Sequence, residues 1–535
     1  MPQTAPQLPL HEHLRRRARE TPERSAYLWY GQAISWAELD AASDAFAARL
    51  QALGIKRGEP VALFMNNCPQ YVMAHYGIQK IGAIVCPCGP LNKEHELHYQ
   101  LTDLQTRVIV TSDVLLPVVN KVRAKTSLAH VFVVRYGDLL PETASIALPK
   151  ELQTPHTDAL PIPADCEDFL AVARAGGKPT AVSLDMDDVA LMTYTSGTTG
   201  LPKGAMLTYA NALFKTTAAI SGSDVRGDDV LLAAAPLYHI AGMLMGVNMP
   251  VLTGTTTVLM YRFEPLGVAQ ALERHRVSWW YSIAPMNSAL MQLSGARDMD
   301  WSALRINPVT SFGITYTEQL AQQWRSFAPH CQSFEAAYGL SETHTMDTCM
   351  PYDAVRWGTQ GKAVPGNTLR IINPDTHAEQ PAGEVGEITI QGPGNFKGYW
   401  KKPEATAQTL RDGWVYTGDM GKVDADGYLT FIGRFKEMIK ISGYSVFPEE
   451  VETLLIKHPA VAQAAVIGVP DAEKGEVVRA FIVKKPNQEL DADTLLAWSR
   501  ENMAAYKVPR ELRFVTALPV TGAGKLLRRL LHEPV

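Results

Sequence analysis

The chain has 535 residues, of which 46% are hydrophobic and 20% are charged, and its formal net charge is -5. This length predicts two or more domains, and the negative charge argues against a protein held to nucleic acid by a general basic field. No apolar run of about eighteen residues occurs, so no membrane span is expected. Residues 1–9 lack the order of a signal peptide and the 6 cysteines lack the spacing of a zinc site, so reduced thiols in a cytoplasmic protein are expected.

The N-terminal part alternates between short apolar runs and helical patterns. A first helix is predicted over residues 10–20, and its arginines, Arg15 to Arg17, are interpreted as a solvated face. The alternation from residue 61 onward predicts a parallel sheet covered by helices. Residues 139–183, rich in Pro, Ala and Asp, are predicted to form a long surface excursion. The predicted strands are 61–65, 83–86, 107–111 and 130–134, and the predicted helices are 71–81 (amphipathic), 94–104 and 115–122.

A loop rich in glycine and hydroxyl side chains follows the predicted strand 189–192. It runs from Tyr194 to Gly204 with the sequence YTSGTTGLPKG, and a helix is predicted to begin near Asn211. Its glycines let successive N–H groups point inward, its hydroxyls add donors, and Lys203 adds a positive charge, an inventory that suits a polyphosphate. No Ser or Thr follows the lysine, so it is not a Walker loop. A flexible surface loop is the alternative interpretation.

Later predicted strands also end at polar or aromatic residues. The strand 230–235 leads to His239, which at a strand's C-terminal end could line a ligand crevice or could be a capped core histidine. The last stretch of about 100 residues is predicted to form a small α+β domain. The other predicted elements are strands 279–284, 307–312, 387–391, 429–432, 462–469 and 478–484, a hairpin at 424–428, and helices 449–457 and 492–504.

A series of motifs, in one order along the chain, resembles those of the adenylate-forming superfamily: acyl-CoA synthetases, firefly luciferase and peptide-synthetase adenylation domains. The similarity is greatest to long-chain fatty acyl-CoA synthetases and 4-coumarate:CoA ligases. It implies a large α/β N-terminal domain (1–433) of helix-covered, largely parallel sheets, a hinge (434–436) and a small mobile α+β C-terminal domain (437–535). The motifs are YTSGTTGLPKG, PLYH at 236–239, YGLSE at 338–342, TGD at 417–419, GRFKEMIKISGY at 433–444 and PVTGAGK at 519–525.

The resemblance also implies roles for residues in these motifs. Glu342 and Thr195 would be ligands of Mg²⁺, Tyr338 would stack on adenine, and Asp419 would accept ribose hydroxyls. The residues expected to bind ATP are Thr195, Ser196, Gly197, Thr198, Thr199, Gly200, Lys203, Tyr338, Gly339, Ser341, Asp419 and Arg434. Catalytic roles are expected for Lys525, Thr195, Glu342 and His239, CoA binding for Ser442, Gly443 and Tyr444, and a hinge at Lys436. Alone, Asp419 could be an ordinary turn residue and Lys525 part of a basic tail.

The segment 310–315 departs from the family pattern. Phe312 replaces a small residue and Thr315 replaces a proline. A Phe312 side chain could shorten the acyl pocket or turn away into the core, and the sequence leaves both open. The residues expected to border the acyl group are His239, Phe312, Gly313 and Ala337.

The implied reaction is ATP-dependent ligation of a carboxylic acid to CoA through an acyl-adenylate, with ATP, Mg²⁺ and coenzyme A. A fatty acid of medium or long chain is favoured, with an aromatic hydroxycinnamate- or benzoate-like acid as the alternative. A carrier-protein-loading adenylation enzyme would want an acidic residue between Ile240 and Pro250, and none occurs. A luciferase-like oxygenase shares all the motifs, whereas Lys525 and Glu342 argue against an inactive regulator. The expected partners are the acid and CoA, with no nucleic acid, and a homodimer is left open.

Overall fold

The computed structural model describes residues 7–153, 161–195, 201–312, 315–441, 444–471, 474–521 and 525–532. Fifteen α-helices lie within these ranges. They are Leu10–Glu20 (α1), Trp36–Ala52 (α2), Pro69–Lys80 (α3), Glu94–Leu104 (α4), Leu116–Arg123 (α5), Phe169–Arg174 (α6), Tyr209–Gly222 (α7), Ile240–Met243 (α8), Met249–Thr253 (α9), Pro265–Arg274 (α10), Ala284–Gln292 (α11), Glu318–Phe327 (α12), Pro403–Thr409 (α13), Pro448–Leu455 (α14) and Ala492–Asn502 (α15).

The strands form two large sheets, an antiparallel sheet, a C-terminal sheet and one short pair. In chain order they are Ser25–Trp29 (β1), Gln32–Ser35 (β2), Pro60–Phe64 (β3), Ile84–Cys88 (β4), Val108–Ser112 (β5), His130–Val134 (β6), Glu167–Asp168 (β7), Val189–Thr195 (β8), Lys203–Thr208 (β9), Val230–Ala233 (β10), Thr256–Leu259 (β11), Trp279–Trp280 (β12), Ser282–Ile283 (β13), Ile306–Thr310 (β14), Gln332–Glu335 (β15), Thr348–Cys349 (β16), Lys362–Ala363 (β17), Thr368–Ile372 (β18), Gly386–Gln391 (β19), Gly398–Tyr399 (β20), Leu410–Arg411 (β21), Trp414–Val423 (β22), Leu429–Arg434 (β23), Ile439–Ile441 (β24), Tyr444–Val446 (β25), Val461–Asp471 (β26), Gly475–Lys484 (β27) and Glu511–Phe514 (β28).

Both large sheets are eight-stranded and mostly parallel. One has the order β20-β9-β8-β4-β3-β5-β6-β7, and the other contains β13, β14, β12, β10, β11, β1 and β2, with β15 beside β14. Strands β3 to β6 pair in parallel, as do β10, β11, β12, β14 and β15. The predicted α/β class with helix-covered, largely parallel sheets is confirmed.

Two smaller sheets follow. Strands β18, β19, β22, β21 and β23 form an antiparallel sheet, in which β22 and β23 make the hairpin predicted at 424–428. Strands β24 to β28 form a C-terminal sheet with its own apolar core, which includes Ile439, Val451, Val466, Ile482 and Leu495. No helix in the described part of the chain is both long and apolar enough to span a membrane.

The helix predicted to be amphipathic over 71–81 is instead buried on every face. All residues of α3 are buried, because α2 packs against the helix and two of its tyrosine hydroxyls reach the segment 237–247. The Tyr71 hydroxyl donates to the Leu237 carbonyl at 3.1 Å, and the Tyr76 hydroxyl donates to the Val247 carbonyl at 2.9 Å. Burial in two layers of protein therefore overrides the polar positions that suggested a solvated face.

Two other interpretations were wrong in part. Of the arginines interpreted as a solvated face of α1, Arg17 does not fit, because it donates to the carbonyls of Val251 and Leu252 at the C-terminal end of α9. The stretch 139–183 is not entirely a surface excursion, because β7 extends a large sheet and α6 packs against α2 with Phe169 fully buried.

Strand β9 was missed by the sequence interpretation. It pairs antiparallel with β8 and is followed directly by α7, which begins at Tyr209 rather than near Asn211. Thr208 and Asn211 form a capping box that starts this helix. The glycine-rich loop therefore connects two paired strands before the helix starts.

Candidate active site

A cavity of about 1270 Å³ lies where both large sheets, the antiparallel sheet and the C-terminal segment 518–529 meet. Most of the residues predicted to bind ATP or to act in catalysis line it, although they are distant in sequence. The predicted residues on its wall are Thr195, Lys203, His239, Phe312, Ala337, Tyr338, Gly339, Ser341, Glu342, Asp419, Arg434, Lys436 and Lys525.

Several predicted residues lie outside the described parts of the chain. They are Ser196, Gly197, Thr198, Thr199, Gly200, Gly313, Ser442 and Gly443. Tyr444 begins β25, where its backbone pairs with Ile441.

The β8–β9 hairpin places its two candidate ATP residues opposite each other. Thr195 and Lys203 are Cα partners in the ladder. The hairpin is held against α4, because the Tyr194 hydroxyl donates to Asp103 at 2.7 Å and the Tyr99 hydroxyl donates to the Pro202 carbonyl at 2.8 Å. The ends of the glycine-rich loop are thus anchored on a neighbouring helix.

Tyr399 connects Lys203 to Glu342. The Lys203 Nζ lies 4.4 Å from the centroid of the Tyr399 ring, and the Tyr399 hydroxyl donates to Glu342 Oε1 at 2.7 Å. Strand β20 holds Tyr399 in position by pairing with β9, in which Ala205 is its partner. A cation over a ring face is attractive, so this contact also orients the lysine. Motif reasoning assigned no role to Tyr399.

The donor set fits the Mg²⁺ that accompanies a nucleotide. The Glu342 carboxylate and the Thr195 hydroxyl line the same cavity, and oxygen ligands of this kind suit Mg²⁺, which also takes phosphate oxygens. The Tyr399 bond uses Oε1 of the Glu342 carboxylate. Within the described residues, no cluster of three or more His, Cys, Asp or Glu side chains could hold a metal by itself.

Tyr338, Asp419 and Arg434 form a bonded group on another wall. The Tyr338 hydroxyl donates to Asp419 Oδ2 at 2.7 Å, and Arg434 Nε lies 3.2 Å from Asp419 Oδ1. Asp419 and Arg434 are partners across the β22–β23 ladder. Burial raises the pKa of the Asp419 carboxyl, and the Arg434 charge opposes that rise. The Tyr338 ring packs on Phe431, with centroids 5.9 Å apart.

The turn after Tyr338 folds tightly back on itself. A Cβ at Gly339 would lie 2.2 Å from the Met346 nitrogen, so glycine is required there. His344, Thr345 and Met346 all have positive φ values, of 58°, 57° and 51°. Such backbone is strained for these residue types and persists only where the surroundings hold it.

A buried ion pair, Lys215–Asp347, holds this turn from behind. Both side chains are completely shielded from solvent, and Lys215 Nζ donates to Asp347 and to the Met346 carbonyl. The Asp347 backbone nitrogen donates to the Tyr338 carbonyl at 2.7 Å. Burial lowers the pKa of Lys215 and raises that of Asp347, while their mutual attraction opposes both shifts. Sequence motifs gave no signal for this pair.

Lys525 reaches the cavity from a C-terminal hairpin. The Thr521 nitrogen donates to the Lys525 carbonyl at 2.7 Å, and the Lys525 nitrogen donates to the Thr521 hydroxyl at 3.0 Å. The lysine is exposed to the open cavity, but surrounding protein atoms still desolvate its ammonium group. This desolvation and the Arg434 charge lower the pKa of Lys525, and Asp419 opposes the change.

His239 satisfies both interpretations of its sequence position. It is the N-cap of α8, where Nδ1 accepts a 3.4 Å bond from the Ala241 nitrogen, and it also lines the cavity. Burial and the positive charge of Lys525 lower the pKa of His239 to about 4. Its imidazole is therefore neutral at neutral pH.

A second, apolar cavity of about 280 Å³ adjoins the large one. His239 and Phe312 line both cavities, with their rings perpendicular and 6.5 Å apart, whereas Ala337 lines the large cavity only. The rest of the lining of this second cavity comes from residues for which the motifs predicted no contact with the acyl group. These residues are Ala235, Pro236, Ala241, Gly242, Phe263, Tyr281, Ile283, Pro285, Met286, Val520 and Thr521.

Glu335 holds the segment that carries Phe312. Its carboxylate accepts bonds from the Ser311 nitrogen at 3.2 Å and from the Ser311 hydroxyl, and that hydroxyl in turn accepts from the Tyr316 nitrogen. Burial raises the pKa of Glu335 to about 7, and the two Ser311 bonds oppose the rise. Sequence reasoning missed this residue, which lies three positions before Tyr338.

Lys436 lies just after the β23 strand, in a short 3-10 turn that also contains Glu437. The neighbouring Glu437 pairs with Arg528 at 2.8 Å, and Arg528 also pairs with Glu449 and Glu452 of α14. The turn is thus bonded to the C-terminal segment. Its role as a hinge stays a prediction.

Comparisons with known proteins give a consistent result. The family model of the AMP-binding enzyme matches residues 14–400, and that of the AMP-binding enzyme C-terminal domain matches residues 450–525. The long-chain-fatty-acid–CoA ligase of Bacillus subtilis is 33% identical over 519 residues, covering 96% of this chain and 92% of that protein. The feruloyl-CoA synthase of Amycolatopsis is 33% identical over 515 residues, covering 96% of each.

Solved structures resemble the whole chain. ATP-bound MatB from Rhodopseudomonas palustris superposes with a TM-score of 0.84 at 27% identity and covers 98% of each chain. A benzoate CoA ligase from Burkholderia xenovorans gives a TM-score of 0.85 at 25% identity, covering 98% of this chain and 100% of that one.

Proposed function

This chain belongs to the AMP-binding enzyme family, and from that premise we propose that it is an ATP-dependent acid–CoA ligase. It would convert a fatty carboxylic acid of medium or long chain into its acyl-CoA through an acyl-adenylate, releasing AMP and pyrophosphate. The observation that carries the proposal is the position of Lys525. It lines the 1270 Å³ cavity, here called the polar cavity, together with Glu342 and Arg434. Its charge also acts on His239, which lines the apolar cavity as well.

The first step joins two anions. A carboxylate oxygen would attack the α-phosphorus of ATP, and the bond from that phosphorus to the bridging oxygen would break as pyrophosphate leaves. Lys525 would hold the carboxylate beside the α-phosphate, with Lys203 at the outer phosphates and Arg434 and Asp419 at the ribose. Preorganised charge aimed at the transferring group is usually the largest contribution to such a rate. Bound at Glu342 and Thr195, Mg²⁺ would supply further positive charge to the phosphates.

In the second step the CoA thiol would attack the acyl carbon, and AMP would leave. No side chain need become covalently attached. Because His239 is neutral, it borders the reacting carbon without placing a charge there. We assign Ser442, Gly443 and Tyr444 to CoA binding and Lys436 to the hinge. The C-terminal domain, 437–535, would then rotate between the two steps, which need different linings. A cytoplasmic location and a homodimer stay predictions.

The size of the apolar cavity bears on the acid. Its volume of about 280 Å³ lies just below the range of roughly 300–1,000 Å³ for small-molecule sites, which favours a medium-length chain. An aromatic acid is the second candidate. Phe263, Tyr281 and Phe312 provide aromatic walls, and the similarity to a feruloyl-CoA synthase supports the same class.

An isotope-exchange assay tests this proposal. A panel of fatty and aromatic acids would be screened for acid-dependent ATP–pyrophosphate exchange and then for CoA-dependent release of AMP. We expect both activities with an apolar acid, and chelation of divalent cations should abolish them. If ATP–pyrophosphate exchange occurs but the release of AMP does not depend on CoA, the protein is not a CoA ligase. A strong preference for amino or dicarboxylic acids would contradict the apolar site.

A further inference from the structure

The wall of the apolar cavity is shared between distant parts of the chain. Most of it comes from residues 235–312, but Val520 and Thr521 of the C-terminal segment complete it. Val520 keeps 49% of its surface exposed, so part of its side chain is free to contact a group bound in the cavity. Both residues also line the larger cavity, so they stand at the junction of the two.

One hairpin carries both Val520 and Lys525. Besides the two bonds between Thr521 and Lys525, the Leu527 nitrogen donates to the Pro519 carbonyl at 2.8 Å, and Val520 forms a bridge with Leu526. These bonds join the two sides of the hairpin. Val520 and Lys525 must therefore move together.

The hairpin is anchored on the C-terminal sheet. Leu518 and Leu526 pack against the apolar cluster that contains Ile467, Phe481 and Leu531. Val520, by contrast, shares the apolar cavity with residues from the range 235–312 of the N-terminal part. Any rotation of the C-terminal sheet that withdraws Lys525 would also withdraw Val520.

We propose that Val520 is a specificity residue for the acyl group in the adenylation step alone. This inference rests on the proposed function. While Lys525 is docked, Val520 closes the apolar cavity over the acyl group, and burial of the acyl chain against it stabilises the docked arrangement. After the hairpin withdraws, the apolar cavity is open on the side that Val520 had closed. The attack of the CoA thiol then takes place without contact between Val520 and the acyl group. Recognition of the acid is thus tied to the position of the catalytic lysine.

The substitution Val520→Thr tests this, because it keeps the shape and replaces one methyl group by a hydroxyl. We expect the KM for the preferred apolar acid in ATP–pyrophosphate exchange to rise about fourfold, the effect of one lost methylene-sized apolar contact. The rate of thioester formation from supplied acyl-adenylate should be unchanged. Val385→Thr is the matched control, since Val385 is 40% exposed and lies outside both cavity linings.

A second variant, Val520→Phe, fills the cavity from the same side. It should shift the preference in exchange toward shorter acids, again without changing the thiol step. The inference is overturned if Val520→Thr behaves like Val385→Thr, or if both half-reactions change equally. If the unaltered protein exchanges pyrophosphate with none of the acids, the proposed function fails and this inference fails with it.

Discussion

The polar and apolar cavities meet at His239 and Phe312 but are built in different ways. In the polar cavity, candidate side chains are fixed by directional bonds, such as those from Tyr399 to Glu342 and from Tyr338 to Asp419. The apolar cavity is formed by packing of side chains from separate segments between 235 and 521. Most candidate side chains of the polar cavity therefore belong to short motifs, whereas the apolar cavity depends on how distant segments pack.

The largest expected effect is on the polar cavity and follows from Lys525→Ala. Loss of one charge that stabilises the transition state should lower the rate of adenylate formation ~10²–10³-fold. Thioester formation from supplied acyl-adenylate should be spared, because Lys525 acts in the first step. The two half-reactions would be measured separately, with the exposed Lys485→Ala as control. Equal losses in both half-reactions would contradict the role given to Lys525.

Tyr399→Phe tests whether the bonded network of the polar cavity matters beyond its motif residues. The variant keeps the ring under Lys203 but removes the donor to Glu342. Groups that orient a metal ligand typically contribute ~10–100-fold in metal affinity or activity, so the Mg²⁺ concentration for half-maximal exchange should rise about tenfold. Tyr428→Phe is the control, because it removes a hydroxyl that is bonded to the Ala354 carbonyl outside the cavity. It should leave the Mg²⁺ concentration for half-maximal exchange unchanged.

Phe312→Gly tests the apolar cavity. If the side chain limits its length, the variant should accept longer acids, and each added methylene should lower KM about fourfold until the new end is reached. The profile of KM against chain length measures this, with Phe514→Gly, outside both cavities, as control. An unchanged profile would mean that Phe312 does not limit the acyl chain.

The smallest effect on activity is expected at Glu335, whose influence is on stability. Its pKa is about 7 in the folded protein and lies above the ordinary 4.5, so the folded state binds the proton more tightly. The contribution of Glu335 to the free energy of unfolding should therefore fall as pH rises from about 4.5 to about 7, by about 3 kcal/mol in all. Glu335→Gln should lose this dependence in Tm measurements. If the Tm of the unaltered protein and that of Glu335→Gln change with pH in the same way, the raised pKa of Glu335 does not contribute to stability as predicted.

The local sequence pattern predicted a helix or strand correctly where the tertiary contacts of the segment favour the same structure. The helix at 94–104 and the strand at 130–134 have the same bounds in the structure. The failures share one physical cause, which is tertiary contact. Burial between two layers overrides the amphipathic pattern of α3, and pairing with β8 makes a strand of the segment that begins at Lys203. Neither contact is visible in a local window of sequence.

The sequence by itself determined the family, the order of the motifs and the polar residue types that a nucleotide and a carboxylate require. Directional bonds and charges act over a few ångströms. Residues that are close in sequence can therefore act on the same bound group, and they form recognisable motifs. Only the tertiary structure decided what surrounds them: the Lys215–Asp347 pair behind the Tyr338 turn, the Glu335 contact with Ser311, and the place of Val520 in the apolar wall. Packing between segments far apart in the chain leaves no local signature, because any apolar side chain of suitable size could fill the same space.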